Sequence, residues 1–139
     1  MTTFVDTSAL YAAIDRDDDA HALVAPVLRE LLDRERLVTS SYVVVETAAL
    51  VQTRLGTAAT RDLHERLVPA LDVVWVDEEV HRSAVAALLA AARRDVSLVD
   101  HVSFEIMRRR SIRAALTVDR HFAETGFDVV PAPRPALGP

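Results

Sequence analysis

The feature that most constrains the chain is an alternation of short β-prone segments with longer stretches of helical periodicity. Segments 2–5, 37–39, 73–76, 114–118 and 128–130 read as strands. Between them, Thr7 and Ser8 cap a helix through Tyr11 and Ile14. The acidic run 15–19 caps a second, in which Leu23, Val27, Leu28, Leu31 and Leu32 recur at helical spacing with Pro26 in the early turns. Ser40 or Ser41 caps a helix over 42–54 that Gly56 closes, and a further helix over 57–67 ends near Pro69. Asp77 caps an Ala-rich helix ending near Arg94, Ser97 opens one through Arg110, and a helical turn after Asp119 stops at Gly126. Strands that alternate with helices are covered on both faces, so the expected class is α/β with one mostly parallel sheet flanked by helices. No repeat or second domain is visible. A single domain over 1–131 is expected, with a Pro-rich tail over 132–139; residues 131–139 hold four of the six prolines and should be extended and weakly ordered.

Composition narrows the chemistry. With 139 residues, 50% apolar and 27% charged, the chain suits one soluble domain with a continuous core. The longest apolar run, 84–92, is roughly half of the ~20 residues that a membrane span needs, and no basic or apolar leader follows Met1. A cytoplasmic protein is expected, not a membrane or secreted one. There is no cysteine, hence no thiolate nucleophile or thiolate metal site. All 16 basic residues are arginine, which removes a Walker lysine, a Schiff-base lysine and a lysine base. Three glycines, Gly56, Gly126 and Gly138, cannot write a glycine-rich phosphate loop. A net charge of −5 gives no overall attraction to nucleic acid, so contact with phosphate would fall to local arginine clusters.

Four carboxylates stand out. Asp6 and Asp119 each follow a strand, where ligands of open parallel sheets gather, although helix capping explains either one alone. Glu46 has Val43 and Leu50 one turn away on each side, so it lies on an apolar stripe. No basic residue stands a turn from it, which leaves a metal, a distant arginine or an exposed position. Asp100 completes a Ser-x-x-Asp capping pattern from Ser97, yet a first-turn acid also lies where strand ends and helix starts converge. With no lysine or cysteine to do other work, three or four acids in one cleft would need a cation, and hard oxygen donors select Mg²⁺ or Mn²⁺.

The segments FVDTSAL, VVVET, DVSLVDHVSFEIMRRR and LTVDRHF before TGFDVVP resemble the four acidic motifs of the PIN domain, and within it VapC-type toxins of prokaryotic toxin–antitoxin pairs. The resemblance runs from Thr3 to about Pro131. It implies a five-stranded parallel sheet, Mg²⁺- or Mn²⁺-dependent cleavage of RNA, inhibition by a cognate VapB-like antitoxin, and a homodimer. Position by position, Asp6, Glu46, Asp100 and Asp119 match the family's acids, and Ser8 its hydroxyl residue. Val99 stands before Asp100 where many relatives carry a small polar residue, with no change in chemistry expected. Metal-assisted in-line hydrolysis would leave a 5′-phosphate and a 3′-hydroxyl. Ser8 has two readings, a helix cap or a hydrogen bond to Asp119 or to a water of the metal site.

Arg108, Arg109, Arg110, Arg113 and Arg120 are the candidates for RNA-phosphate contact, with a solvated helix end as the plain alternative for the first three. His101 and His121 are placed on the surface or behind the carboxylates, not as bases. Aromatic content of 5% favours cutting of a folded RNA over a long single-strand track. Two competitors remain. A dehalogenase-type phosphatase needs Asp-x-Asp after the first strand and a later lysine, whereas here the chain reads Asp6, Thr7, Ser8 and has no lysine, and a PIN-fold module that binds RNA or protein without catalysis would have no use for four acids.

Overall fold

The computed structural model describes residues 1–131; the tail expected over 132–139 lies outside the described residues. Strands β1 (Thr2–Val5), β2 (Arg36–Ser40), β3 (Asp72–Val74), β4 (Ala114–Leu116) and β5 (Asp128–Val130) form one sheet in the order β3-β2-β1-β4-β5. Every pairing is parallel, with Phe4 opposite Val38 on one side and Ala115 on the other. The helices are α1 (Thr7–Ile14), α2 (His21–Arg34), α3 (Ser41–Leu55), α4 (Thr57–Asp62), α5 (Glu78–Ala91), α6 (Leu98–Arg109) and α7 (Arg120–Glu124).

Burial follows from the parallel arrangement. Phe4 and Val5 on the central strand are fully covered, and they share a core with Leu10, Val24, Val43, Val102, Met107 and Phe122 from the helices. Phe104 meets Phe122 edge-on at 5.0 Å and stacks on Phe127 at 5.8 Å, which fastens α6 to α7 and to the turn before β5. Among the described residues no helix is long and apolar enough to cross a membrane.

Four boundaries depart from the sequence-based expectation, each for a local reason. The acidic run does not cap α2. Asp15 accepts from the Asp17 N–H and Asp18 from the Ala20 N–H, so both are spent on the tight turn, and the helix starts at His21 without a side-chain cap. The helix expected over 57–67 is regular only to Asp62. It widens into a π-turn at Leu63–Leu67 and tightens into a 3-10 turn at Val68–Ala70, because Pro69 has no N–H to continue the ladder. That widened turn seats the fully buried Leu63 against Tyr11 and Val51. β3 stops at Val74, since the Val76 N–H turns to Ser41 Oγ (3.0 Å) and Trp75 points to solvent. β4 stops at Leu116, where Thr117 and Val118 turn towards the end of β1.

The chain runs β1, β2, β3 towards one edge, then returns to the other side of β1 for β4 and β5. The order therefore reverses between β1 and β4, and a crevice opens outside their carboxyl ends.

Candidate metal centre

Asp6 leaves β1 and caps α1, while Asp119 leaves the end of β4 and caps α7. The two strand ends are stitched together by hydroxyls. Ser8 Oγ (2.8 Å) and Thr117 Oγ1 (3.1 Å) both donate to Asp6 Oδ2. Ser8 Oγ in turn accepts the Val118 N–H (3.1 Å), and Thr117 Oγ1 accepts the Asp119 N–H (2.9 Å). The partner of Ser8 is thus Asp6 and not Asp119. Asp100 closes a capping box at the start of α6, accepting the Ser97 N–H at Oδ2 (3.1 Å) while Ser97 Oγ accepts the Asp100 N–H (3.2 Å). Glu46 projects from α3, half-buried rather than enclosed.

Asp6, Glu46, Asp100 and Asp119 line one cavity of about 390 Å³, together with Ser8. Asp6 and Asp100 are buried and Asp119 half-buried. Capping uses one oxygen of each acid and leaves the other. The caps occupy Asp6 Oδ2, Asp100 Oδ2 and Asp119 Oδ1, and among the described residues no hydrogen bond engages Asp6 Oδ1, Asp100 Oδ1 or Asp119 Oδ2. The plain reading of each acid as a helix cap is therefore correct and incomplete.

Burial pushes the Asp6 carboxyl up to about 6, with the charges of Asp100 and Asp119 adding to it and the hydroxyls of Ser8 and Thr117 pulling it back. Asp100 is raised as well, first by burial and then by Asp119. Desolvation outweighs the mutual repulsion that four converging acids suggest by themselves. Three acids with one unengaged oxygen each, two of them under pressure to shed charge, suit a hard divalent cation. A cation would relieve both the desolvation and the repulsion.

Asp100, Asp119 and His121 form a grouping whose donor atoms all lie within 4.8 Å of one another; Asp100 and Asp119 line the cavity with Asp6 and Glu46, and His121 lies behind its lining. His121 carried no ligand signal in the sequence. Its ring lies beside Asp119 because α7 turns it back over its own cap, with Nδ1 2.7 Å from Asp119 Oδ1. Thr117 was hidden in a β-prone run. Arg54 lies eight residues after Glu46 on the same helical stripe as Leu50, and all three line the cavity. Its guanidinium sits 5.3 Å over the Tyr11 ring and makes no ion pair with Glu46 among the described residues.

The five candidate phosphate contacts separate. Arg120 adjoins Asp119, pairing with Asp95 (3.7 Å) and Glu124 (3.5 Å). Arg109 is held by Glu105 (2.8 Å) and Glu79 (3.1 Å). Arg108 covers the Phe127 ring at 5.9 Å and, with Arg113, lines a cavity with Gly126 and Asp128. Arg110 and Arg113 line another with Met1 and Thr2, at the amino ends of β1 and β4. A helix of this length spans ~18 Å, so Arg108, Arg109 and Arg110 end far from Asp100 at its start. His101 packs edge-on against Phe104 at 5.9 Å and lies outside the cavity lining.

Comparison with known proteins bears on this geometry. Residues 3–128 match the model of the PIN domain. The chain is 33% identical over 126 residues to the 23S rRNA-specific endonuclease VapC20 of Mycobacterium tuberculosis, covering 89% of this chain and 94% of that protein. It is 32% identical over 127 residues to ribonuclease VapC26 of the same organism, covering 86% and 88%. The crystal structure of M. tuberculosis VapC20, described as a sarcin–ricin loop cleaving toxin, superposes with a TM-score of 0.82 at 28% identity, over 91% of this chain and 96% of that one. Topology, the placement of acids at the switch point and a family match over nearly the whole described chain agree: the chain belongs to the PIN domain family.

Proposed function

We propose that the chain is a metal-dependent endoribonuclease, the toxin of a VapBC-type toxin–antitoxin pair acting in the cytoplasm. The observation that carries this reading is the set of unengaged carboxylate oxygens on Asp6, Asp100 and Asp119 around one cavity. Its likeness to VapC20 supports RNA as substrate and makes a ribosomal RNA hairpin the first one to test.

Asp6, Asp100 and Asp119 would hold Mg²⁺ or Mn²⁺. A divalent ion supplies charge stabilisation at the phosphate and a lowered pKa for the attacking water. Glu46, which lines the same cavity, would orient that water or take its proton. Ser8 and Thr117 fix the Asp6 carboxylate and favour its charged form, which burial alone would suppress. Arg54 gives the cavity its cation and would meet a phosphate bound there. In this reading a water oxygen would bond to phosphorus as its proton leaves, the bond to the 3′ oxygen would break and that oxygen would take up a proton from solvent, giving a 5′-phosphate and a 3′-hydroxyl.

A cavity of about 290 Å³ adjoins Asp119, lined by Leu23, Val118, Ala123, Val129 and Pro131. It suits an apolar helix of a VapB-like antitoxin that brings a basic side chain towards the acids. A homodimer belongs to the same proposal, and sedimentation tests it. The principal experiment is cleavage of a ribosomal hairpin by purified protein with Mg²⁺, with Mn²⁺ and with EDTA, beside Asp6→Asn. Cutting that needs either ion and vanishes in the variant is expected; undiminished cutting in EDTA would sink the reading.

A further inference from the structure

His121 is the one histidine among the candidate donors, and the mechanism above leaves it without a role. It is 8% exposed, and its two ring nitrogens meet different surroundings. Nε2 lies 3.1 Å from Asp95 Oδ2. Asp95 is itself gripped by Arg93, through Nε (3.1 Å) and Nη2 (2.8 Å). Nδ1 is sealed from solvent and has no hydrogen-bond partner, although Asp119 Oδ1 is only 2.7 Å away. That oxygen accepts the backbone N–H of His121 instead (2.9 Å).

A neutral imidazole carries a single N–H. The well-formed contact with Asp95 takes it on Nε2, which leaves the Nδ1 lone pair against Asp119 Oδ1, in the grouping that also holds Asp100. A lone pair against a carboxylate oxygen repels, and a buried acceptor without a donor costs about 1–3 kcal/mol in general. A cation shared by the nitrogen and the oxygens removes both penalties. The outer contact fits the same role, because a metal-ligating histidine commonly gives its other N–H to a carboxylate, which fixes the tautomer and the ring.

We propose that His121 Nδ1 ligates the same ion as Asp100 and Asp119, making a mixed nitrogen–oxygen centre that favours Mn²⁺ over Mg²⁺, with Asp95 as the residue that positions the ring. This rests on the metal site proposed above. Imidazole adds affinity for first-row transition ions, whereas Mg²⁺ gains little from a nitrogen donor. The carboxylates alone would not discriminate in this way.

The test uses the full chain with Mn²⁺ alone as the probe. Pulsed electron paramagnetic resonance of bound Mn²⁺ is expected to show a nitrogen coupling that changes when the protein carries ¹⁵N-labelled histidine. His121→Gln keeps an amide near Asp95 but places no donor at Nδ1. By calorimetry it should weaken Mn²⁺ tenfold or more and Mg²⁺ less than threefold. The labelled wild-type spectrum decides the ligand even if that variant does not fold. Bound Mn²⁺ without histidine coupling, or equal weakening of both ions, overturns the proposal and leaves the carboxylate site standing. Failure of the wild type to bind either ion overturns the metal site itself, and this inference with it.

Discussion

The two ends of the sheet carry opposite charge, and one rule places both. At the carboxyl ends of β1 and β4, Asp6 and Asp119 cap α1 and α7, where the positive ends of helix dipoles welcome an anion. At the amino ends lie Arg108, Arg110 and Arg113, near the C-terminus of α6, where a cation is favoured. The ends differ in burial. Asp6 and Asp100 are covered and their carboxyls are raised, while the three arginines are exposed. Charge that water can reach settles solubility and helix ends; charge held away from water must find a partner, and there chemistry becomes available.

The strongest way to break this contrast is to neutralise one acid. Asp119→Asn or Asp100→Asn should lower cleavage by about two orders of magnitude or more, because charge stabilisation at a reacting phosphate is worth several kcal/mol. Single-turnover cleavage of a ribosomal hairpin measures it. Retention of more than a tenth of the wild-type rate would reduce these acids to caps.

The next effect is on stability and follows from Asp6. Its folded-state pKa of about 6 lies above the value of 3.8 for an unburied Asp, so the folded protein binds more protons between those limits. Metal-free protein should therefore gain stability as pH falls from 7.5 towards about 5, and lose it as pH rises through about 6. The shift corresponds to roughly 3 kcal/mol if Asp6 acts alone, and Asp100 moves in the same direction. Asp95, held below the usual carboxylate range by Arg93 and His121, opposes the trend only as pH falls below about 5 towards the ordinary Asp value of 3.8, so the gain is read between pH 7.5 and 5. Mg²⁺ at a hundredfold its Kd should restore about 2.7 kcal/mol at pH 7.5 by mass action. Asp6→Asn keeps a capping side chain and should flatten the pH dependence and melt no lower than wild type at pH 7.5 without metal, whereas Asp6→Ala also loses the cap, at about 1 kcal/mol under every condition. Thermal melts at pH 5 and 7.5, with EDTA and with Mg²⁺, separate the two.

A smaller loss is expected at Thr117→Val. The hydroxyl joins Asp6 to the Asp119 backbone, and its removal leaves the Asp119 N–H without that acceptor. A cost of about 1–3 kcal/mol is expected, with cleavage down by roughly tenfold as the two acids lose register. Normal cleavage in a correctly folded variant would show that the strand ends align without it.

Asp6 and Asp119 were legible because position after a strand is a property of the sequence, and the parallel topology then brings strand ends together; Glu46 showed as an acid on an apolar stripe and Asp100 as a first-turn cap. A mostly parallel sheet was expected, since β-prone runs alternate with helices, but the strand order that places β1 beside β4 was not. What the sequence concealed depends on contacts across the fold. Thr117 matters only once β1 and β4 are neighbours, and His121 only once the first turn of α7 swings its ring between Asp119 and Asp95. Arg54 was readable as the eighth residue after Glu46 on one stripe, yet a single-turn search stops at the fourth. Nearness in sequence also misleads in the other direction. Arg108, Arg109 and Arg110 stand about ten residues after Asp100, but a straight helix converts that interval into ~15 Å.

The smallest effects belong to the arginine end. Arg110→Ala and Arg113→Ala remove exposed cations that pair with no acid among the described residues, so each should change stability by no more than about 0.5 kcal/mol. Arg108→Ala also gives up the contact with Phe127 and should cost up to about 1 kcal/mol. On a short hairpin that reaches only the carboxylate cavity, all three variants should keep kcat and alter KM less than threefold. On an RNA long enough to follow the protein to the other end of the sheet, each lost phosphate contact should reduce the salt dependence of binding by about one unit of slope. Comparison of a short and a long RNA across a salt series therefore tells whether the arginine end takes part in recognition. A tenfold fall in kcat on the short hairpin would put these arginines at the reacting phosphate and erase the division between the two ends.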